Sequence, residues 1–328
     1  MYTDIPLWAS ILFMAAGLVA LAWSSDTFVD GASSVAKALG ISPFVIGMVI
    51  IGFGTSAPEL AVSSSAALQG SNEIALSNVI GSNIFNLLCV LGLCAAIRPA
   101  PVDKAILKRD FPLSLLATAF VLAGTGAASL GRFPAIPMEE TVGTVNRLMA
   151  SVLLCAFAAY IAYLIFDARK HPDTEAPSEL MPLWKCVLLI IAGLALVIGG
   201  GQAAVYGAKE IARAAGMSET LIGLTVVAAG TSLPELMTSL VAARKGETNL
   251  AFGNAIGSNL LNIMLILGVS AMIRPIAVNF ASVCDLALLL AFSALTFLFS
   301  YTSKTLSRAE GAVLVALYVA DMTFAVMR

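Results

Sequence analysis

Apolar residues in this chain gather into ten long stretches that are separated by short polar connections. They run over residues 6–24, 41–69, 74–97, 111–130, 149–167, 182–204, 217–243, 249–273, 283–302 and 308–327. A helix needs about 20 consecutive apolar residues to cross the hydrocarbon core of a bilayer. The alternating pattern of barrel strands is missing, and a helix satisfies its own backbone polar groups in lipid. The pattern predicts an all-α integral membrane protein with ten transmembrane helices.

Composition removes the soluble alternatives. Of the 328 residues, 59% are hydrophobic and 12% are charged, whereas average soluble domains carry about 25% charged residues. So few charges cannot cover the surface of a soluble enzyme, a nucleic-acid-binding protein or a disordered chain. The five cysteines lack metal-ligand spacing, and we expect them to be small hydrophobic residues within helices.

The basic residues predict an orientation. With ten spans, both termini share one face with the loops that follow spans 2, 4, 6 and 8. That face carries six Lys and Arg residues and the opposite face carries twelve. The positive-inside rule places the twelve in the cytoplasm, and so predicts a multi-pass protein of the plasma (inner) membrane with both termini outside. The first span lacks the basic start of a cleaved signal peptide, so we expect it to be retained.

An internal repeat divides the chain. The segment Gly-Thr-Ser-Ala-Pro-Glu-Leu at 54–60 recurs as Gly-Thr-Ser-Leu-Pro-Glu-Leu at 230–236, an offset of 176 residues. With the same offset, 40–99 and 216–275 share 27 identities in 60 aligned positions. Five spans lie within one offset, and an odd number inverts the second copy in the membrane. Inverted repeats are typical of secondary transporters, which bind their substrates near the midplane.

The predicted domains follow from this repeat. Residues 1–167 form the first inverted repeat (spans 1–5), and residues 182–328 form the second (spans 6–10). Residues 168–181 form a short cytoplasmic connector. It contains the only histidine, His171, which we expect to be a loop residue without a role.

Two acidic residues occupy equivalent places in the repeat. Glu59 and Glu235 each lie in mid-span, where an unpaired carboxylate costs several kcal/mol, and their spans contain no Lys, Arg or His. A protonated Glu bonded to a neighbouring helix is the structural alternative, but it explains a duplicated pair poorly. We therefore predict that mobile cations supply the missing positive charge.

A proline precedes each acid. Pro58 and Pro234 remove a helical hydrogen bond and clash with the carbonyl four residues earlier, which predicts helices broken at the midplane. Broken helices with free carbonyls form cation sites in transporters.

Further oxygen donors accompany the acids. They are Ser56, Ser82, Asn86, Ser232, Ser258 and Asn262. Such hard donors suit Ca²⁺ or Na⁺, whereas softer metals call for Cys or His. Packing of small residues at Gly81 and Gly257 is compatible with this role. Because one Ca²⁺, two monovalent cations or two protons each neutralise two carboxylates, the site predicts an antiporter.

At these residues the chain resembles the calcium/cation antiporter superfamily, specifically its prokaryotic sodium/calcium exchanger branch. The doubled motifs G-T-S-x-P-E and G-S-N-x-x-N carry the resemblance. It implies ten helices, termini outside, and four cation sites between spans 2, 3, 7 and 8. It also implies exchange of about three Na⁺ for one Ca²⁺ by alternating access. Backbone oxygens would come from Gly52, Thr55, Ala228 and Thr231, and side-chain oxygens from the two acids, the four serines and the two asparagines.

Several alternatives stay open on the same scaffold. A H⁺/Ca²⁺ antiporter would use Glu59 and Glu235 as proton carriers. A K⁺-dependent Na⁺/Ca²⁺ exchanger is less expected, because some members carry Asp where this chain has Asn262. An intramembrane enzyme would need a base that the spans lack, so we predict that the protein is not an enzyme, and a channel is the other transport class. We expect no cofactor, no nucleic acid and no obligate protein partner: Ca²⁺ and Na⁺ are substrates and the lipid bilayer is the surroundings.

Overall fold

The computed structural model describes residues 6–70, 72–133, 135–170, 181–217, 226 and 228–327. Most of the predicted connector, including His171, lies outside these residues, as does the start of the predicted seventh span.

The described residues form an essentially all-helical protein. Its α-helices are α1 Leu7–Leu39, α2 Pro43–Ile46, α3 Phe53–Thr55, α4 Ala57–Gln69, α5 Asn72–Ile84, α6 Leu91–Ile97, α7 Phe111–Thr125, α8 Arg147–Lys170, α9 Leu183–Ala214, α10 Ala228–Thr231, α11 Leu233–Lys245, α12 Thr248–Leu260, α13 Leu267–Ile273, α14 Phe280–Ser303 and α15 Arg308–Met327. Four π-helical segments, Gly47–Gly52, Phe85–Val90, Ile106–Asp110 and Leu261–Ile266, join some of them. A 3₁₀-helix, Ala127–Arg132, follows α7.

Two short ladders close loops at the helix ends, and the apolar pattern did not predict them. Strand β1 (Ala100–Pro101) pairs antiparallel with β4 (Thr305–Leu306). Strand β2 (Thr141–Val145) pairs antiparallel with β3 (Ile276–Asn279).

Membrane-spanning length is reached by several of these helices. Among the residues that the structure describes, six helices are long and apolar enough to cross a membrane, or seven if one bent pair counts as a single span. The long first and ninth helices extend well beyond the predicted stretches, to Leu39 and Ala214. Their last turns carry charged residues, so hydrophobicity alone placed their ends too early.

Helices α1 and α9 pack against each other along a seam of glycines. A Cβ on Gly17 would lie 2.4 Å from the backbone nitrogen of Ala204, and one on Gly193 would lie 2.9 Å from the Cα of Phe28. Close backbone approach through small residues is a common way for helices to associate in membranes. Gly17, early in α1, meets Ala204, late in α9, whereas Phe28, later in α1, meets Gly193, earlier in α9. The two helices are therefore antiparallel.

The second span is broken where proline predicted it. Helices Pro43–Thr55 and Ala57–Gln69 meet at an angle of 48°. Ser56, between them, has φ −81° and ψ 4°, and Ser232, at the start of α11, has φ −94° and ψ 8°. Both serines therefore leave helical geometry immediately before a proline-containing first turn.

The core lies around two spans, Ile74–Ile97 and Thr248–Ile273. In the most apolar part of these spans, 72% and 78% of the residues are buried inside the protein, against 22% in α1 and in α9. Each of the two spans contains a π-helical segment, Phe85–Val90 or Leu261–Ile266. These segments lie 176 residues apart, so the offset found in the motifs also relates local backbone. π-helical turns are frequent at functional sites.

Candidate functional site

Each broken helix places its acid in the first turn after the break. Glu59 lies in the first turn of α4 and Glu235 in the first turn of α11. Both side chains are 1% exposed. The start of a helix carries partial positive charge from its unpaired N–H groups, which favours a carboxylate there. The break therefore creates a local place for an acid that an unbroken apolar helix would not offer.

The two acids are bound across the repeat. The Ser56 hydroxyl donates to Glu235 Oε1 at 3.0 Å, and the Ser232 hydroxyl donates to Glu59 Oε1 at 3.2 Å. Each serine therefore binds the acid of the other half, and not the acid that follows it by three residues in the chain. This exchange brings the two predicted carboxylates into one site, where the charge of Glu235 acts on Glu59.

Six predicted donors present buried oxygens without a hydrogen-bond partner among the described residues. These oxygens are Glu59 Oε2, Glu235 Oε2, Ser82 Oγ, Ser258 Oγ, Asn86 Oδ1 and Asn262 Oδ1. Buried polar atoms are normally paired, so a set of unpaired oxygens from both halves is unusual. Carboxylate, hydroxyl and amide oxygens are the ligands of hard cations. In the described parts of the chain, no group of three His, Cys, Asp or Glu residues could hold a metal ion.

The residues predicted to offer backbone oxygens to cations lie at the two breaks. Gly52 ends the π-helical segment before α3, and a Cβ at this position would lie 3.4 Å from Ser258 Oγ. Its carbonyl accepts a hydrogen bond from the Ser56 N–H at 3.0 Å. The Thr55 hydroxyl donates to Ile51 O at 3.0 Å. In the second half, α10 begins at Ala228 and ends at Thr231, so these two residues also adjoin a break.

Two asparagines that sequence reasoning left out of the site support the acids. Asn254 Nδ2 donates to Glu235 O at 3.1 Å and to Ser239 Oγ at 2.8 Å. Asn78 Nδ2 donates to Ser63 Oγ at 2.9 Å, and its bond to Glu59 O is 3.4 Å long. Both asparagines tie the acid-bearing helix to the following helix. Their duplication in the repeat was the available signal.

A second asparagine pair joins the two halves directly. Asn83 Nδ2 donates to Asn259 O, and Asn259 Nδ2 donates to Asn83 O, each at 3.2 Å. Both belong to the repeated G-S-N-x-x-N motif, where sequence reasoning assigned roles only to the serine and to the last asparagine.

A cavity of about 330 Å³ approaches the site from one side. It lies between α4, α9 and the second break, and its lining includes Pro58, Gln202, Lys209, Thr231 and Pro234. Pro58 and Pro234 immediately precede the two acids in the chain, so the cavity reaches the surroundings of both carboxylates.

The cysteines behave as the sequence predicted. Cys94 and Cys186 are buried, Cys89 and Cys284 are half-buried, and Cys155 is exposed; in the described residues, none of the five forms a disulfide. None of them belongs to the oxygen-rich site.

Known proteins share this architecture. The model of the sodium/calcium exchanger protein family matches residues 9–166 and 185–327. The putative antiporter CaxA of Alkalimonas amylolytica is 38% identical, over 94% of this chain and 96% of its own. The sodium/calcium exchanger MaX1 of Methanosarcina acetivorans is 32% identical, over 95% of this chain and 97% of its own.

A solved structure agrees with these relatives. The sodium-calcium exchanger NCX_Mj, soaked with Na⁺ and Sr²⁺, matches with a TM-score of 0.81 and 32% identity, over 97% of this chain and 99% of that one. The family and the fold are those of a membrane transporter, not of an enzyme. The chain, with its doubled motifs and its two buried acids, belongs to the sodium/calcium exchanger family.

Proposed function

We propose that this protein is a secondary antiporter that exchanges Na⁺ for Ca²⁺ across the membrane by alternating access. The observation that carries the proposal is the pair of buried carboxylates, Glu59 and Glu235. Each is bonded through one oxygen to the other half, and the second oxygen of each has no hydrogen-bond partner among the described residues. Such a pair is tolerable in a membrane interior when cations offset its charge. MaX1 is named as a sodium/calcium exchanger, which agrees with this assignment.

The proposed ligands are the twelve residues that the motifs indicated. They are Glu59, Glu235, Gly52, Thr55, Ser56, Ser82, Asn86, Ala228, Thr231, Ser232, Ser258 and Asn262. Their oxygens suit Ca²⁺, which takes 6–8 oxygen ligands, and also Na⁺. Two carboxylates balance one Ca²⁺ or two Na⁺. A third Na⁺ on the neutral oxygens makes the exchange about three Na⁺ per Ca²⁺ and electrogenic, with one net charge moved per cycle.

We further propose ten membrane spans in two inverted five-helix repeats, residues 1–167 and 182–328, joined by the connector 168–181. Each of the ten predicted apolar stretches is mainly helical where the structure describes it, with interruptions at Ser56, Gly126 and Ser232. The antiparallel packing of α1 and α9 supports the inversion, because these helices are equivalent under the repeat and yet run in opposite directions. The basic residues favour the plasma (inner) membrane, with both termini outside.

Ion flux in liposomes tests this proposal. Purified protein is reconstituted in vesicles loaded with Na⁺, and uptake of radioactive Ca²⁺ is followed after dilution into Na⁺-free medium. We expect uptake that needs the Na⁺ gradient, responds to membrane potential, and disappears in the Glu59→Gln variant. Uptake driven by a pH gradient without Na⁺ would indicate H⁺ coupling instead. A requirement for K⁺ would indicate a K⁺-dependent exchanger, and passive Ca²⁺ flux down its own gradient, without a gradient of Na⁺, H⁺ or K⁺, would indicate a channel.

A further inference from the structure

The two repeats meet at a pair of asparagines that the proposed ligand set does not include. Asn83 and Asn259 are each 1% exposed. Their reciprocal side-chain to backbone bonds are both 3.2 Å long, so as a link between the halves the two residues are equivalent.

The two side chains differ in their remaining oxygen. Asn83 Oδ1 accepts a hydrogen bond from Asn262 Nδ2 at 2.9 Å. The matching bond in the other half would run from Asn86 Nδ2 to Asn259 Oδ1. Among the described residues, neither of these two buried atoms has a partner. The two halves are therefore equivalent in the bonds between Asn83 and Asn259, but they differ in the contact to the ligand asparagine.

This difference matters because an amide has one donating end and one accepting end. When Asn83 accepts from Asn262 Nδ2, the opposite end of that amide, Asn262 Oδ1, is oriented away from Asn83 and left without a partner. A held amide presents its oxygen to a cation at lower entropic cost than a rotating one. Asn83 thus fixes the orientation of one proposed ligand, while Asn86 is not held in this way.

We propose that Asn83 and Asn259 are positioning residues that alternate: Asn83 orients Asn262 in the access state of this structure, and Asn259 orients Asn86 in the opposite state. The inference rests on the proposed exchange function and on the inverted repeat, because alternating access moves one half against the other around a fixed site. In this structure the open cavity adjoins Lys209 near the end of α9, which the charge pattern assigns to the outer face. Asn83 accordingly acts on cations that bind from outside, and Asn259 on cations that bind from inside.

The chain supplies its own matched control. The variants Asn83→Leu and Asn259→Leu each lose one of the two equivalent 3.2 Å bonds between the halves, but only the first also loses a contact to Asn262. Half-saturating Ca²⁺ is measured at each face separately, in vesicles of known protein orientation. We expect Asn83→Leu to raise it about tenfold at the outer face, as loss of one buried hydrogen bond does, and Asn259→Leu to do so at the inner face.

Double variants separate positioning from general destabilisation. In an Asn262→Ala background, Asn83→Leu has no contact to residue 262 left to lose, so it should cause no further change specific to the outer face. In an Asn86→Ala background, the same should hold for Asn259→Leu at the inner face. If a leucine variant does not fold, Asn83→Ala and Asn259→Ala form the same matched pair, because alanine also removes the side-chain amide.

Two results would overturn the proposal: equal effects of both variants at both faces, or effects that simply add to those of Asn262→Ala. Failure of the exchange function is recognised separately, since the unmodified protein would then show no Na⁺-driven Ca²⁺ uptake. In that case, the coupling of Asn83 to Asn262 is measured without transport, from the rise in melting temperature that Ca²⁺ causes in detergent.

Discussion

Serine and glutamate exchange partners in the same way in both halves of the molecule. Ser56 reaches Glu235 over 3.0 Å, and Ser232 reaches Glu59 over 3.2 Å. Both serines occupy a helix break, and both acids begin the following helix. At the centre of the protein, a duplicated sequence has produced duplicated geometry.

The ends of the two halves, away from the central site, differ. At the end of α1, Lys245 lies 3.0 Å from Asp26 and 2.6 Å from Asp30, and Lys37 lies 3.2 Å from Glu247.

Most of the equivalent positions in the other half are uncharged, although Arg213 stands at the equivalent of Lys37 and pairs with Glu210 of its own helix. Under the offset of 176, Gln69 replaces Lys245, Gln202 replaces Asp26, and Tyr206 replaces Asp30. Gln202 and Tyr206 line the cavity. The comparison teaches that the repeat keeps the serine–carboxylate contacts equal in its two halves, while the elements that close each side are free to differ. Ion pairs between helices hold one side, and a cavity opens on the other.

The largest expected effect tests the equality of the two acids. Glu59→Gln and Glu235→Gln each keep the shape of the side chain and remove one charge, so one Ca²⁺ or two Na⁺ are no longer balanced. We expect each variant to lose Ca²⁺ exchange by more than about 100-fold, because an interaction of several kcal/mol is removed. Flux in Na⁺-loaded vesicles measures it. A variant that keeps half of the normal rate would show that the two carboxylates are not equivalent.

The glycine seam offers a large effect on stability. Gly193→Ala places a Cβ 2.9 Å from the Cα of Phe28, whereas Gly199, on the same helix, has nothing within 4 Å of its Cβ position. Overpacking costs about 1–3 kcal/mol, so Gly193→Ala should lower the melting temperature in detergent. Gly199→Ala is the matched control and should leave it unchanged or raise it. Equal melting temperatures would contradict the packing of α1 against α9.

An intermediate effect concerns the exchanged serines. Ser56→Ala and Ser232→Ala each remove one hydrogen bond to a buried carboxylate, which contributes about 1.5–3 kcal/mol. We expect half-saturating Ca²⁺ to rise about tenfold or more, and by the same factor in both variants. A clear difference between the two factors would show that the site is less symmetric than its distances indicate.

The smallest effect tests the unequal ends. Lys245→Gln removes the contacts to Asp26 and Asp30 and makes this end resemble its Gln69 counterpart. Partly exposed ion pairs contribute about 0–1 kcal/mol each, so the balance between access states should shift by no more than about fivefold. Ca²⁺ affinity at the inner face reports it. The shift should weaken near 1 M salt, because high ionic strength screens partly exposed charges; a shift that is independent of salt would contradict an electrostatic origin.

Local features of the fold were readable from the chain because they depend on neighbouring residues. Apolar length predicted the long helices, although only six or seven of those that the structure describes are long and apolar enough to span a membrane, and Pro58 predicted the break at Ser56. The ligand roles at the duplicated site stay a prediction. The charged last turns of α1 and α9 escaped prediction because the apolar pattern ends before them: Lys37 pairs with Glu247, 210 residues away, and Arg213 pairs with Glu210 within α9. The π-helical segments also gave no signal in the apolar pattern, since they are helical turns with one residue more.

The sequence by itself determined which residues we propose as cation ligands, namely two acids with their serines and asparagines, next to the prolines that interrupt the helices. It did so because an acid or a proline in an apolar span is costly wherever the span packs. Only the tertiary structure decided which serine binds which acid, that Asn83 holds Asn262 while Asn259 leaves Asn86, and that one end is ion-paired while the other is open. These contacts join residues more than 170 positions apart, and only the packing of the two halves brings them within reach.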